Sequence, residues 1–205
     1  MFYRPEEGCP LARDPLNAVV VPRPIGWIST LDAAGRANLA PYSFFNAVAY
    51  RPPQVMFAAT TRHAHGGLKD SIANAQETGE FVVNLATWSL REQMNASAVP
   101  APSDVDEFAY AGLRKAPAAV VKPPRVAESP VQLECVYTRT VALESDEAEG
   151  ANTVVFGRVV GVHIDDRFIV DGAVDTLALE PIGRLGYLDY VKVADCFAMV
   201  RPKWE

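Results

Sequence analysis

An α+β fold, a mainly antiparallel β-barrel with a few peripheral helices, is what the sequence predicts, on three observations. Short apolar runs bounded by Pro, Gly and Asp recur along the chain, and only one or two of them are separated by a helical pattern. The long run Asn152 to Ile164 carries Gly157 and Gly161, which supply bends of the kind a closed barrel needs. Strand and helix alternate too rarely for a doubly wound parallel sheet. The 205 residues, 49% hydrophobic and 21% charged, fit one domain over 1–205 with a Pro-rich excursion at 99–130.

Residues 1–16 show little periodicity and read as an arm. Ala18-Val19-Val20-Val21 reads as a short buried strand, and Pro22 and Pro24 break the ladder before Trp27 to Leu31 resumes it. Asp32-Ala33-Ala34-Gly35 turns the chain into a second arm, Asn38 to Val48, where Pro41 removes one N–H donor and so marks an edge, a bulge or a place where a ligand nears the backbone. Gln54 to Ala59, opened by Arg51-Pro52-Pro53, is too short for a typical helix and reads as a central strand. Leu68, Ile72, Ala75 and Gly79 recur at helical spacing, with Lys69, Asp70, Asn74 and Glu77 turned away, and Gly79 supplies the stop.

Glu80 to Leu85 returns to strand. Trp88 to Ala98 reads as a second helix, with Leu90 and Met94 one turn apart. Residues 99–130 hold six of the sixteen prolines and read as irregular, with a helical turn at Val105 to Tyr110. Val131 to Leu143 alternates, placing Val131, Leu133, Cys135 and Tyr137 on one face, and the acidic run Glu144 to Glu149 forms a solvated turn before Asn152 to Ile164. The last forty residues are rich in turn signals.

Net charge of −6 and a pI near 5.1 argue against a general binder of nucleic acid or anionic membrane, both of which require a basic surface. Within that acidic chain, the 37 residues between Asp32 and Asp70 carry no carboxylate and hold Arg36, Arg51, Arg62 and Lys69, a local +4 that favours a small anionic ligand. The expected helix begins in this window. Its unpaired N–H groups and partial positive charge, joined by the Lys69 ammonium and the Ser71 hydroxyl, suit a phosphate.

Cys9, Cys135 and Cys196 are odd in number and widely spaced, which fits free thiols in a reducing compartment better than a disulfide framework or a zinc site. Met1 to Asn17 has charges and prolines in place of a secretory apolar run, and no stretch approaches ~20 apolar residues, so a cytoplasmic location is expected. No nucleophile elbow, zincin, P-loop or dinucleotide fingerprint occurs. His63 and His65 flank the phosphate candidate, where histidines without a role are as common, and His163 fits a hydrogen-bonded barrel residue. What remains is a group of flat apolar walls (Trp27, Tyr42, Phe44, Phe45) and neutral donors and acceptors (Ser29, Thr30, Ser43, Asn46, Thr60) near a phosphate-friendly helix start. A planar heterocycle with a phosphate tail uses both; the ordinary alternative is that strand aromatics are core and the hydroxyls are strand ends.

The segments Pro22-Arg23-Pro24-Ile25-Gly26-Trp27-Ile28-Ser29-Thr30-Leu31-Asp32, Asn38-Leu39-Ala40-Pro41-Tyr42-Ser43-Phe44-Phe45-Asn46, Lys69-Asp70-Ser71 and Thr78-Gly79-Glu80-Phe81-Val82-Val83-Asn84-Leu85 resemble the flavin reductase-like, FMN-binding split-barrel family, which includes flavoredoxin. Ser129 to Cys135 and Arg184-Leu185-Gly186 resemble its later segments. The resemblance implies a split barrel, a homodimer with FMN near its interface, and NAD(P)H as a transient electron donor. It implies that Ser29, Thr30 and Ala40 to Asn46 line the ring and ribityl chain, that Lys69, Asp70 and Ser71 hold the phosphate end, and that Ser43 or Thr30 tunes the flavin. Tyr187 stands where a second Gly is usual, which narrows the expected rim.

The expected activity is an FMN-dependent oxidoreductase of the flavin reductase type. The flavin carries the redox chemistry and no side chain is required as acid or base. Electrons pass from NAD(P)H to a flavin, a metal complex or another small-molecule substrate, with a monooxygenase component as a candidate partner. The rival expectation is an FMN-binding electron carrier or sensor without NAD(P)H turnover of its own.

Overall fold

In the computed structural model of the chain, which describes residues 1–146 and 152–204, seven strands form one antiparallel sheet. They are β1 (Gly26–Leu31), β2 (Ala37–Tyr42), β3 (Phe45–Tyr50), β4 (Pro53–Ala59), β5 (Glu80–Leu85), β6 (Val131–Ala142) and β7 (Thr153–Ile164). Their order across the sheet is β2-β1-β5-β6-β7-β4-β3. The two edge strands, β2 and β3, are consecutive in the chain with only Ser43 and Phe44 between them. Seven strands laid flat span about 29 Å, far beyond the reach of a two-residue link. The sheet therefore curls until its edges meet, and because β2 and β3 do not pair, the barrel is split at Ser43–Phe44. The second arm expected over Asn38 to Val48 is thus two strands broken at that seam, and Pro41 sits on an edge, where its missing N–H costs nothing.

The curl is built where the glycines predicted it. Pairing of β7 with β6 slips between Phe156 and Gly157 and again between Val159 and Gly161. A Cβ at Gly157 would stand 2.3 Å from the Phe81 ring, so only glycine lets that ring fill the barrel.

Strand alternation separates two cores. Ile28, Val55, Phe57, Phe81, Val83, Cys135 and Val155 fill the barrel, closed by Ile72 and Ala75 of helix α1 (Asp70–Thr78). Trp27, on the opposite face of β1, joins Leu39, Leu90, Met94, Phe108 and Val126 in a second core. That core is covered by α2 (Arg91–Ala96) and α3 (Glu107–Tyr110) and by Val126 of the excursion's short strand. The helix stop at Gly79 is as expected, with a left-handed φ of 76° and its N–H donated to Ala75 O. Asn74, expected to face outward, is buried and donates to Thr30 Oγ1 at 3.0 Å. The short α1 packs against both β1 and β5, and this polar pair bridges it to β1.

Two further expectations differ from the structure. Ala18 to Val21 is not a buried strand: a one-turn helix, Leu16–Val19, occupies the place and Val19 and Val20 are exposed. The Arg23 guanidinium donates to Asn17 O at 2.6 Å and Val20 O at 2.7 Å, so the turn's carbonyls are satisfied without a sheet. The acidic turn expected over Glu144 to Glu149 lies partly outside the described residues.

His163 is hydrogen-bonded as expected, to the buried carboxylate of Glu134. Glu134 also accepts the N–H groups of Ala119, Val120 and Val121 at 2.6 to 3.0 Å, which pins the excursion to β6. Burial pushes this carboxyl up, but the three N–H donors and His163 outweigh it and hold the pKa at about 2.

Candidate functional site

Two cavities flank the edge strand β2 next to the split. The first, about 140 Å³, is lined by Asn38, Ala40, Pro41 and Tyr42 of β2, by Lys69, Asp70 and Ser71 at the tip of α1, by His63, by Ser97 to Ala101, and by Glu107. The second, about 340 Å³, is lined by Pro41 to Phe44, Ala58 to Thr61, Lys69, Arg23, Arg184, Tyr187, Asp14 and Asn17. Pro41, Tyr42 and Lys69 belong to both. They form a ridge that connects the helix tip to the Ser43 seam.

The expected phosphate residues meet here in altered roles. Ser71 is 1% exposed and its hydroxyl donates to Asn38 Oδ1 at 2.8 Å. The Asp70 carboxylate accepts from Ser103 Oγ at 2.9 Å and lies 3.5 Å from His63 Nε2, tying the roof of the first cavity to α1. What the tip still offers an anion is the Lys69 ammonium, which makes no ion pair among the described residues, and the first N–H groups of the helix.

Polarity differs between the two sides of the ridge. Glu107, buried against the first cavity, accepts from Asn38 Nδ2 at 3.2 Å and from Leu39 N at 3.1 Å, and burial raises its pKa. Burial pushes the Tyr42 phenol up to about 12, so the hydroxyl stays protonated beside Ser71. On the far side, Arg23 is 8% exposed, and burial followed by the nearby charge of Arg184 lowers its pKa.

Of the expected site residues, Ala40, Pro41, Tyr42, Ser43, Phe44 and Thr60 line the cavities, together with Lys69, Asp70 and Ser71. Trp27, Ser29, Thr30, Phe45 and Asn46 do not. Trp27 Nε1 donates to Ser97 Oγ at 2.8 Å and Ser29 Oγ to Pro124 O at 2.6 Å, because their face of β1 lies under the excursion. Thr30 is held between Asn38 and Asn74. Phe45 packs over Gly26 and into the barrel, where a Cβ on Gly26 would stand 2.5 Å from its ring. Asn46 is exposed on the edge strand β3.

Sequence reasoning did not place Arg23, Arg184, Asn38 or Glu107 in the site. The two arginines lay inside the quoted motifs, but nothing local showed that Arg23 and Arg184 pair across strands. Tyr187, flagged as a departure from glycine, has a φ of 55° and lines the second cavity.

Residues 18–175 match the model of the flavin reductase like domain. An uncharacterised protein of Halalkalibacterium halodurans is 37% identical over 187 residues, covering 91% of this chain and 89% of that protein. The structure is similar to nitrilotriacetate monooxygenase component B from Bacillus cereus, with a TM-score of 0.89, 30% identity, and coverage of 97% of this chain and 98% of that one. Flavoredoxin of Desulfovibrio vulgaris (Miyazaki F) shares the fold at a TM-score of 0.75 and 20% identity, over 91% of this chain and 96% of the other.

Proposed function

The chain belongs to the flavin reductase-like family, and from that premise we propose that it is an FMN-dependent oxidoreductase that takes electrons from NAD(P)H and delivers them to a flavin, a metal complex or another small acceptor. The observation that carries this reading is the shared ridge: Pro41, Tyr42 and Lys69 join a cavity at a helix tip to one lined by Ser43, Phe44 and Thr60. That arrangement fits a flat ring with a phosphate tail, offering apolar walls, neutral donors and a cation in sequence.

Bound FMN supplies hydride acceptance and the return of electrons in one or two steps. The residues of this chain do the holding. Lys69 takes the phosphate end, Pro41 and Phe44 give the ring flat contact, and Ser43 at the split offers a hydroxyl to its polar edge. Thr30, committed to the core, takes no part in tuning.

A homodimer belongs to the same proposal. Val193 donates to Pro181 O, and beyond it Phe197, Met199, Val200 and Trp204 project 84 to 101% exposed, a run of apolar side chains that a second copy would cover. The likeness to a monooxygenase component supports a monooxygenase as partner. The reading takes the whole chain as one flavin-binding unit acting in the cytoplasm.

The test is the absorption spectrum of the freshly isolated protein, followed by anaerobic addition of NADH or NADPH. A yellow protein that bleaches rapidly supports the reading. A yellow protein that keeps its colour supports instead an electron carrier or sensor, and a colourless one that ignores added FMN overturns both.

A further inference from the structure

We propose that Arg184, paired with Arg23 and joined by Lys69 around the second cavity, forms an anion subsite that takes a phosphoryl group. Arg23 and Arg184 are direct register partners in the antiparallel pair of Arg23–Pro24 with Ile182–Arg184. Like charges placed opposite each other in a sheet are destabilising unless something offsets them. No carboxylate does so: among the described residues neither arginine makes an ion pair, and the one acidic lining residue, Asp14, accepts from Leu16 N at 2.8 Å.

The neighbouring contacts fix the arginines without neutralising them. Arg23 donates to three backbone carbonyls, of Asn17, Val20 and Leu185. Arg184 donates to Tyr190 Oη at 2.8 Å and to Tyr187 O, while its buried Nε has no partner. The two bonds hold the fork in place and leave one N–H on each terminal nitrogen of Arg184 for a planar or tetrahedral oxyanion. With Lys69 the cavity carries three cations against one carboxylate. That net charge matches a phosphate dianion better than a single carboxylate, and Ser43, Thr60 and Thr61 add neutral donors. The first cavity sets Asp70 and Glu107 against the same Lys69, so it offers that group less net positive charge.

Two ligands of the flavin reading carry this chemistry: the 5′-phosphate of FMN and the diphosphate of a nicotinamide nucleotide. Assigning the subsite to either rests on that reading, whereas binding of a free phosphoryl anion does not. The full chain is therefore titrated with inorganic pyrophosphate while its melting temperature is followed, for wild type, Arg184→Gln and Arg184→Lys. The expected result is a saturable rise in Tm whose half-saturating concentration increases about 10-fold or more in Arg184→Gln, the loss of a charge-assisted hydrogen bond, and recovers in part in Arg184→Lys.

Affinities for FMN and riboflavin then assign the source. A fall for FMN with riboflavin unchanged identifies the flavin phosphate. An unchanged flavin ratio with a raised KM for NADH or NADPH identifies the nicotinamide nucleotide. A pyrophosphate effect identical in wild type and Arg184→Gln, or absent from both, overturns the subsite. A chain that binds no flavin yet shows the Arg184-dependent effect overturns the flavin reading and leaves the subsite standing.

Discussion

The two cavities share three wall residues and differ in everything else. On the α1 side of the Pro41–Tyr42–Lys69 ridge stand buried Asn38, Ser71 and Glu107 and the part-exposed Asp70, a hydrogen-bonded set with two carboxyl groups. On the seam side stand Arg23 and Arg184 with Ser43, Thr60 and Thr61. A few ångströms of edge strand thus divide a region whose one lysine faces two carboxyl groups from one where three cations face a single carboxylate. The difference teaches that the helix tip alone does not make this site: its acidic and hydroxyl side chains are spent on packing, and its cation acts across the ridge.

Replacing Lys69, the one charge common to both sides, tests the division most severely. Lys69→Ala is expected to weaken FMN binding by about 10- to 100-fold with the melting temperature unchanged, the loss of a hydrogen bond from a charged group. Fluorescence titration checks this, and an unaltered affinity would break the comparison at its hinge.

The next largest effect separates a carboxylate of the fold from one of the cavity. Glu134→Gln is expected to cost about 1 to 3 kcal/mol in urea denaturation at neutral pH, because three N–H groups lose their ionised acceptor. The sign follows from its lowered pKa. The stability that Glu134 contributes is present above its ordinary value of 4.5 and is lost as pH falls toward about 2, so the variant should show a flatter acid limb.

Glu107 should behave in the opposite sense. Its raised pKa means the folded state keeps a proton that the unfolded chain releases, so its contribution to stability declines as pH rises above 4.5. Glu107→Gln should remove that decline, seen as a smaller difference between melting temperatures at pH 4 and pH 7. A variant with the wild-type pH profile would show that the first cavity does not hold a proton-retaining carboxyl.

The smallest effect is expected at the seam. Ser43→Ala removes one neutral donor and should change FMN affinity by less than about 10-fold while shifting the flavin reduction potential. A potential identical to wild type would place the Ser43 hydroxyl away from the ring.

Much of this could be read from the residues in order. The stop at Gly79, the bends at Gly157 and Gly161 and the strand from Glu80 to Leu85 are local, since each depends on backbone conformation or alternation within a few residues. Lys69 and Ser43 stand at element ends that local signals mark, and both line the second cavity. Trp27 and Ser29 lie away from the cavities because alternation gives two faces and does not say which one a distant excursion will cover, and Thr30, on the other face, is taken up by Asn38 and Asn74.

What the sequence determined by itself is therefore the set of elements and the chemistry at their ends. Which ends meet was decided by closure of the sheet, which brings β2 and β3 together across Ser43–Phe44, and by the pairing of Arg23–Pro24 with Ile182–Arg184. Those contacts join residues as far as 161 positions apart, the separation of Arg23 from Arg184, and no short-range rule of propensity or charge spacing reaches that far. Local stereochemistry writes the strands and turns; only long-range packing sets two like charges side by side over a cavity.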